Sequence, residues 1–247
     1  MIPNWVPASA GESPLTGVVQ VWRLQLPLED LLAGHLAAHL TVEESNRAAR
    51  FLRETDRCRF VAGRGGLRAL LAAQLGVSPG EVRLAQSVHG KPVLAENLTP
   101  RIDFNVAHSG QVVLIAVSLG ADVGVDVEAT RLLPDVLGLA ERFFVPSEAT
   151  VLAALPEAER PAVFRQLWTR KESVLKAAGT GLEAGLATIE VSTGAEATVR
   201  SVAGDSQAAA HWTLCEFQPA PQHLGCVAVR RPGARFVFHD FKLGPLS

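Results

Sequence analysis

Val123-Gly124-Val125-Asp126-Val127-Glu128 is the stretch on which the reading of this chain turns. Valine alternates with glycine or an acid, and a two-residue period is that of a strand with one apolar face. Val123, Val125 and Val127 are expected in a core. Gly124, Asp126 and Glu128 share the opposite face. Acids two apart on a strand stand ~7 Å apart, near enough to share one hard cation. Gly124, lacking a side chain, would let a ligand approach the backbone on that face. A half-exposed strand with two solvated acids accounts for the same pattern.

Upstream, residues 1–16 are rich in Pro, Ser and Ala and read as a loose leader. Residues 18–24 read as a strand and 28–40 as a helix. Thr41-Val42-Glu43-Glu44 is a capping box: Thr41 accepts from the third amide and Glu44 reaches back. The helix it opens is expected to carry Ala48, Phe51 and Leu52 inward. A second helix over 56–75 lines up Phe60, Leu67, Leu70 and Leu71 and stops at Gly76. Short strands at 82–86, 92–94, 102–106 and 112–118 follow, punctuated by Gly90, Ser109-Gly110 and Gly120.

Downstream the order begins again. Residues 133–144 are helical, Ser147-Glu148 opens another helix, and 161–178 forms a long one closed by Gly179. Apolar strand-like runs lie at 186–191, 212–217, 225–229 and 236–238. Helices in blocks followed by strands in blocks indicate an α+β fold rather than alternating βαβ units. The chain divides into residues 1–122 and 123–247, two halves sharing one order of elements, with a cleft expected between them.

Composition bounds the function. The 247 residues are 48% hydrophobic and 19% charged, enough for a sizeable core and against whole-chain disorder. A net charge of −2 gives no basic excess for general nucleic-acid binding. Cys58, Cys215 and Cys226 are widely spaced without metal spacing, which fits thiols in a reducing compartment. No stretch approaches the ~20 apolar residues of a membrane span. The first 13 residues have no basic start and two prolines, so no signal peptide is read there and the expected address is the cytoplasm. No Gly-x-Ser-x-Gly elbow turns a strand into a helix (Gly76-Val77-Ser78-Pro79-Gly80 has the spacing but follows a helix), and a Walker loop and Gly-x-Gly-x-x-Gly after a strand are missing, which argues against those hydrolases, P-loop kinases and dinucleotide dehydrogenases.

The helix over 164–176 carries more chemistry. Phe164, Leu167, Trp168, Val174, Leu175 and Ala178 form its apolar arc, and Glu172 and Lys176 lie together beyond the Trp168 edge. An i,i+4 surface pair explains those two equally well. Lys171 falls inside the arc, where an unpaired ammonium is costly, so it should snorkel or meet an anion: a carboxylate or a ligand phosphate. Phe104-Asn105-Val106-Ala107-His108-Ser109-Gly110 is expected to end a strand in a tight turn whose amides, with His108, could hold a phosphate oxygen. Gly90-Lys91-Pro92 puts a lysine on a rigid turn. Arg47, Arg50, Arg53, Arg57, Arg59, Arg64 and Arg68 crowd two helices, and Arg47 and Arg50 could reach a polyphosphate. An ordinary turn and a solvated helix face are the competing readings.

The order of these pieces is more specific than any one of them. Gly90-Lys91-Pro92, Phe104 to Gly110, Gly124-Val125-Asp126-Val127-Glu128, Arg142-Phe143-Phe144 and Trp168-Thr169-Arg170-Lys171-Glu172-Ser173-Val174-Leu175-Lys176 together resemble the 4′-phosphopantetheinyl transferase superfamily, in its larger surfactin-synthetase-activating type. The match runs from residue 41 to 182. The resemblance implies a pseudo-dimer of two α+β halves with coenzyme A and Mg²⁺ in the cleft, coenzyme A on the side of the first half. It implies transfer of the phosphopantetheine arm to a serine of an apo acyl or peptidyl carrier protein by a cytoplasmic monomer. Position by position, Asp126, Glu128 and Glu172 correspond to metal-binding acids and Lys176 to a catalytic lysine. His108 and Lys91 correspond to coenzyme A diphosphate contacts, and Arg47 to a contact with its 3′-phosphate. Ala107 departs from the pattern, since many relatives carry Ser before the His. Glu172 is expected as the base, with Lys176 as the competing base. Arg131, Arg142, Arg165 and Arg170 are expected to steer an acidic carrier, and Phe143-Phe144 is either a docking anchor or a core position. A degenerate homologue that only binds carrier or coenzyme A, and a different coenzyme A enzyme such as an acyltransferase, are the rival functions.

Overall fold

Strand alternation at 123–127 buries all three valines, at 0–2% exposure, in a core shared by two sheets. The computed structural model describes residues 1–11, 15–95, 99–180 and 185–242. Residue 182, where the family resemblance ends, lies outside them. The first half runs β1 (Val6–Ala8), β2 (Val18–Gln25), α1 (Asp30–Ala38), α2 (Val42–Ala49), α3 (Glu54–Leu75), the hairpin β3 (Leu84–Gln86) and β4 (Pro92–Leu94), β5 (Ile102–Ser109) and β6 (Val112–Leu119). The second runs β7 (Val123–Ala129), α4 (Val136–Phe143), α5 (Pro146–Ala154), α6 (Arg160–Ala178), the hairpin β8 (Ile189–Val191) and β9 (Val199–Val202), α7 (Ser206–Ala209), β10 (Thr213–Phe217), β11 (His223–Val229) and β12 (Arg235–Phe241).

The repeat of order is also a repeat of topology. In the first half β2 pairs antiparallel with β6, and β6 with β5; in the second β7 pairs antiparallel with β11, and β11 with β10. Both long helices end on a left-handed glycine, Gly76 and Gly179. The last strand departs from this symmetry. β12 inserts between β1 and β2, parallel to both, so the larger sheet has the order β1-β12-β2-β6-β5 and the smaller β10-β11-β7. The N-terminal segment, expected as a loose leader, therefore includes an edge strand, with Ala8 in the core.

The layers are helix, sheet, sheet, helix. Leu36, Ala62, Leu67, Leu70 and Leu71 of α1 and α3 cover Trp22, Phe104, Val113 and Ile115 of the larger sheet. Val19, Val21, Leu114 and Ala116 on its other face meet Val123, Val125, Val127 and Val227. Phe144, Leu152, Phe164, Leu167 and Val174 of α4–α6 cover the outer face of the smaller sheet at Ala228. At ~25 cal/mol per Å² these three apolar clusters are the main favourable term in folding.

Several expectations are corrected. The Thr41 capping box is present, with Glu44 N donating to Thr41 Oγ1 at 3.3 Å and Thr41 N to Glu44 Oε2 at 3.0 Å. Yet α2 stops at Ala49, so Leu52 lies beyond the amphipathic face and is fully exposed. β5 continues through His108 to Ser109, and only Gly110, at φ 55°, turns the chain into β6. The run at 186–191 begins as a 3₁₀ turn, Leu186–Thr188, before β8. Gly124 does not admit a ligand. A Cβ there would collide with the Ser173 carbonyl and the Ala177 amide, so its bare backbone is where α6 lies against β7.

Candidate active site

Close contact at Gly124 places α6 across the acidic face of β7, and the next residues outward on the two elements meet. Lys176 Nζ donates to Asp126 Oδ1 at 2.6 Å and stands 3.9 Å from Glu172 Oε2. Asp126 is 5% exposed, and its Oδ2 is buried with no hydrogen-bond partner. Glu128, one repeat further along β7, accepts from Ser109 Oγ at 3.3 Å and has Arg131 at 3.7 Å. Asp126, Glu128, Glu172 and Lys176 are thus brought together from one strand and one helix.

Their electrostatics follow from this crowding. Burial pushes the Glu172 carboxyl up to about 7; Lys176 opposes the rise, and Asp126 and Glu128 add to it. Burial also raises Glu128, with Asp126 reinforcing and Arg131 opposing. Burial alone would depress Lys176. The charge and hydrogen bond of Asp126, with Glu172 and Glu128 behind them, outweigh it and hold the ammonium above its ordinary value. Three acids against one lysine leave excess negative charge in a partly desolvated site, and every acid offers hard oxygen donors. Among the described residues no three His, Cys, Asp or Glu side chains already stand at metal-binding distances from one another. The orphaned Asp126 Oδ2 and the all-oxygen donor set nonetheless fit a divalent cation such as Mg²⁺ drawn between the acids.

His108 stands at the rim. Its ring is partly desolvated, and together with the charges of Arg59 and Lys176 this lowers its pKa; Asp56 pulls the other way. Arg59 Nε donates to the Gly110 carbonyl at 2.9 Å, tying α3 to the turn beside His108. Lys91 does not present a free ammonium. Its Nζ donates to Asp103 Oδ2 at 2.9 Å and to the Val123 carbonyl at 3.1 Å. Lys91, Pro92, Asn105, Glu172, Lys176 and Gly179 wall a cavity of about 230 Å³ directly beside the acids.

Other candidates are placed elsewhere. Arg47 is exposed at the end of α2, its guanidinium 5.1 Å from the Phe60 ring centre, and no contact among the described residues joins it to the acids. Arg68 and Arg64 are held by Glu44 at 2.6 and 3.4 Å, a second duty of the capping-box acid. Lys171 is fully buried and meets a carboxylate, Glu148 of α5, at 2.6 Å, with the carbonyls of Leu186 and Ile189 as further acceptors. Burial lowers its pKa and raises that of Glu148. The pair ties α5, α6 and β8 together and offers nothing to a ligand phosphate. Arg170 is also fully buried, bound to Glu216 at 2.8 Å and to the Ser192 and Gly194 carbonyls, so it cannot steer a partner. Phe144 stacks on Phe164 at 4.9 Å in the core, and Phe143 packs edge-on against Trp168. Asp103 and Asn105 were not singled out in the sequence; the polar residues at 103, 105 and 109 on one face of β5 are the signal that could have found them.

Comparison with known proteins gives the family. A family model described as the 4′-phosphopantetheinyl transferase superfamily matches residues 122–228, and one described as the N-terminal part of a 4′-phosphopantetheinyl transferase matches 29–120. The chain is 36% identical to the 4′-phosphopantetheinyl transferase HetI of Nostoc over 227 residues, covering 92% of this chain and 93% of that one. It is 28% identical to the 4′-phosphopantetheinyl transferase Sfp of Bacillus subtilis over 76% of this chain and 82% of that one. It is 28% identical to the human L-aminoadipate-semialdehyde dehydrogenase-phosphopantetheinyl transferase over 77% and 67%.

Proposed function

This chain belongs to the 4′-phosphopantetheinyl transferase superfamily, and from that membership we propose that it moves the 4′-phosphopantetheine arm of coenzyme A onto a serine of an apo acyl or peptidyl carrier protein, using Mg²⁺ and releasing adenosine 3′,5′-bisphosphate. The enzyme class, a 4′-phosphopantetheinyl transferase, rests on the relatives. The observation that carries the finer reading is Asp126. One oxygen is bound by Lys176 while the other is buried and unpaired, beside Glu172 and Glu128.

The reaction is phosphoryl transfer, limited by positioning and charge. The serine Oγ bonds to the β-phosphorus of coenzyme A, and the bond from that phosphorus to the bridging oxygen breaks. Asp126, Glu128 and Glu172 would hold Mg²⁺, which when bound offsets charge on the phosphates. Glu172 takes the serine proton. Lys176, kept as an ammonium by Asp126, orients Glu172 and offsets charge on the departing bisphosphate. Its bond to Asp126 favours this division of labour over Lys176 as the base. His108 contacts the diphosphate from the rim. Lys91 contributes from the cavity wall, still bound to Asp103, and Arg47 reaches the 3′-phosphate. The 230 Å³ cavity is the recess for part of the cofactor. Arg131 and Arg142, both exposed, and Arg165, half-buried, are left to attract an acidic carrier. None of the described helices is long and apolar enough to cross a membrane. A cytoplasmic monomer is part of the proposal.

The test is the intact mass of a panel of apo carrier proteins after incubation with coenzyme A and Mg²⁺. A gain of one phosphopantetheine is expected. No gain on any carrier, with coenzyme A still bound, would favour a degenerate homologue. Activity that requires acyl-coenzyme A and survives a chelator would favour an acyltransferase.

A further inference from the structure

β5 and β7 are the facing edges of the two sheets, and they share no backbone ladder. Side chains join them instead. Val123 N donates to Asp103 Oδ2 at 2.6 Å, Val125 N to Asn105 Oδ1 at 3.0 Å, and Ala129 N to Ser109 Oγ at 3.0 Å. Each partner lies 20 residues on, so the strands run parallel in fixed register, separated by the length of a side chain. Odd-numbered β5 residues supply the acceptors. Ala107, the third of the series and opposite Val127, has none to offer. The seam is therefore held on the near side of Asp126, at Val125, and has no side-chain acceptor on its far side, at Val127.

We propose that Asn105 is a positioning residue for phosphopantetheinyl transfer: by fixing the Val125 amide it keeps Asp126 opposite Lys176 and in line with Glu128. Asn105 is 8% exposed, and the side chain that holds β7 also walls the cavity that Glu172 and Lys176 of α6 line. Lys91 supports the seam one step earlier by holding Asp103 and the Val123 carbonyl. Ser109 supports it at the far end, where its hydroxyl also reaches Glu128. A buried amide left without its acceptor is costly, which gives Asn105 a role that shape alone does not replace. The inference rests on the transferase reading above.

The test pairs hydrogen exchange with kinetics. In Asn105→Leu, similar in size but without an acceptor, amide protection at Val125 should fall and kcat should drop about tenfold, a loss of one seam bond at the reacting groups. Asn105→Asp keeps an acceptor and should recover the protection and most of kcat. A folded Asn105→Leu with wild-type kcat, or one that loses kcat while Val125 stays protected, overturns the proposal. Should Asn105→Leu not fold, Ser109→Ala takes its place: exchange at Ala129 must rise and kcat must fall, and unchanged kcat with raised exchange overturns it. If the wild-type protein modifies no carrier, the transferase reading has failed, while the exchange measurements still decide whether the seam holds β7.

Discussion

Lys176 and Asp126 meet at 2.6 Å across the junction of α6 and β7, and this bond leaves the second Asp126 oxygen buried and unpaired. Lys176 is held charged by the bond. Lys176→Ala is expected to lower single-turnover transfer by about 10²–10³, the loss typical of one preorganised electrostatic group. Glu172→Gln, folded by circular dichroism, should be similarly impaired; transfer at the wild-type rate would remove Glu172 as the base.

Gly124→Ala should be damaging out of proportion to one methyl group. The methyl has to displace the α6 backbone at Ser173 and Ala177. Overpacking of this kind costs about 1–3 kcal/mol. It also moves the helix that carries Glu172 and Lys176, so urea unfolding and kcat should both record the change.

Lys171→Met leaves Glu148 as an unpaired buried charge and should cost about 3–5 kcal/mol. Adding Glu148→Gln removes that charge while keeping an acceptor for the Val191 amide, so the double variant should recover part of the loss. A double variant no more stable than Lys171→Met would show that the pair is not the source of the cost.

His108 sets a pH dependence of definite sign. Partial desolvation and Arg59 place its folded-state pKa below the ordinary 6.5. Below pH 6.5 the unfolded chain then takes up a proton that the folded chain does not, so stability falls as the solution is acidified. His39 shifts in the same direction. Between pH 7.5 and 5.5, His108→Gln should lose less stability than the wild type. Coenzyme A, placing phosphate beside the ring, should raise the His108 pKa, seen as its imidazole NMR titration moving upward and as proton uptake on binding.

Arg47→Ala should raise KM for coenzyme A about tenfold, the loss of one charge-assisted contact, and leave dephospho-coenzyme A unaffected. Equal effects on both would place the 3′-phosphate elsewhere.

Local rules made much of this legible. The Thr41–Glu44 box, the glycine stops at 76 and 179, and the alternation at 123–128 each depend on neighbours in sequence, and each formed as read. The gathering of Asp126 with Glu172 and Lys176 came from the resemblance rather than from periodicity. Long-range partners were not legible. Arg170 reads as a surface charge until Glu216, 46 residues on, is placed against it. Gly124 reads as an opening until α6 fills it. Leu52 was misplaced because helical periodicity was carried past the end of α2. Asp103 and Asn105 have meaning only once β5 is seen to lie beside β7 rather than pair with it.

β12 lies between β1 and β2, yet it leaves the ribosome after every other strand of either sheet. While synthesis continues, β2 has β6 on one side and nothing on the other, a bare edge open to foreign strands. The first half, though its helices and hairpins are long since made, waits on residues 235–241 to be sealed. Circular permutants that deliver this strand early should accumulate less aggregate during expression than the natural order, and chains cut before residue 235 should accumulate more.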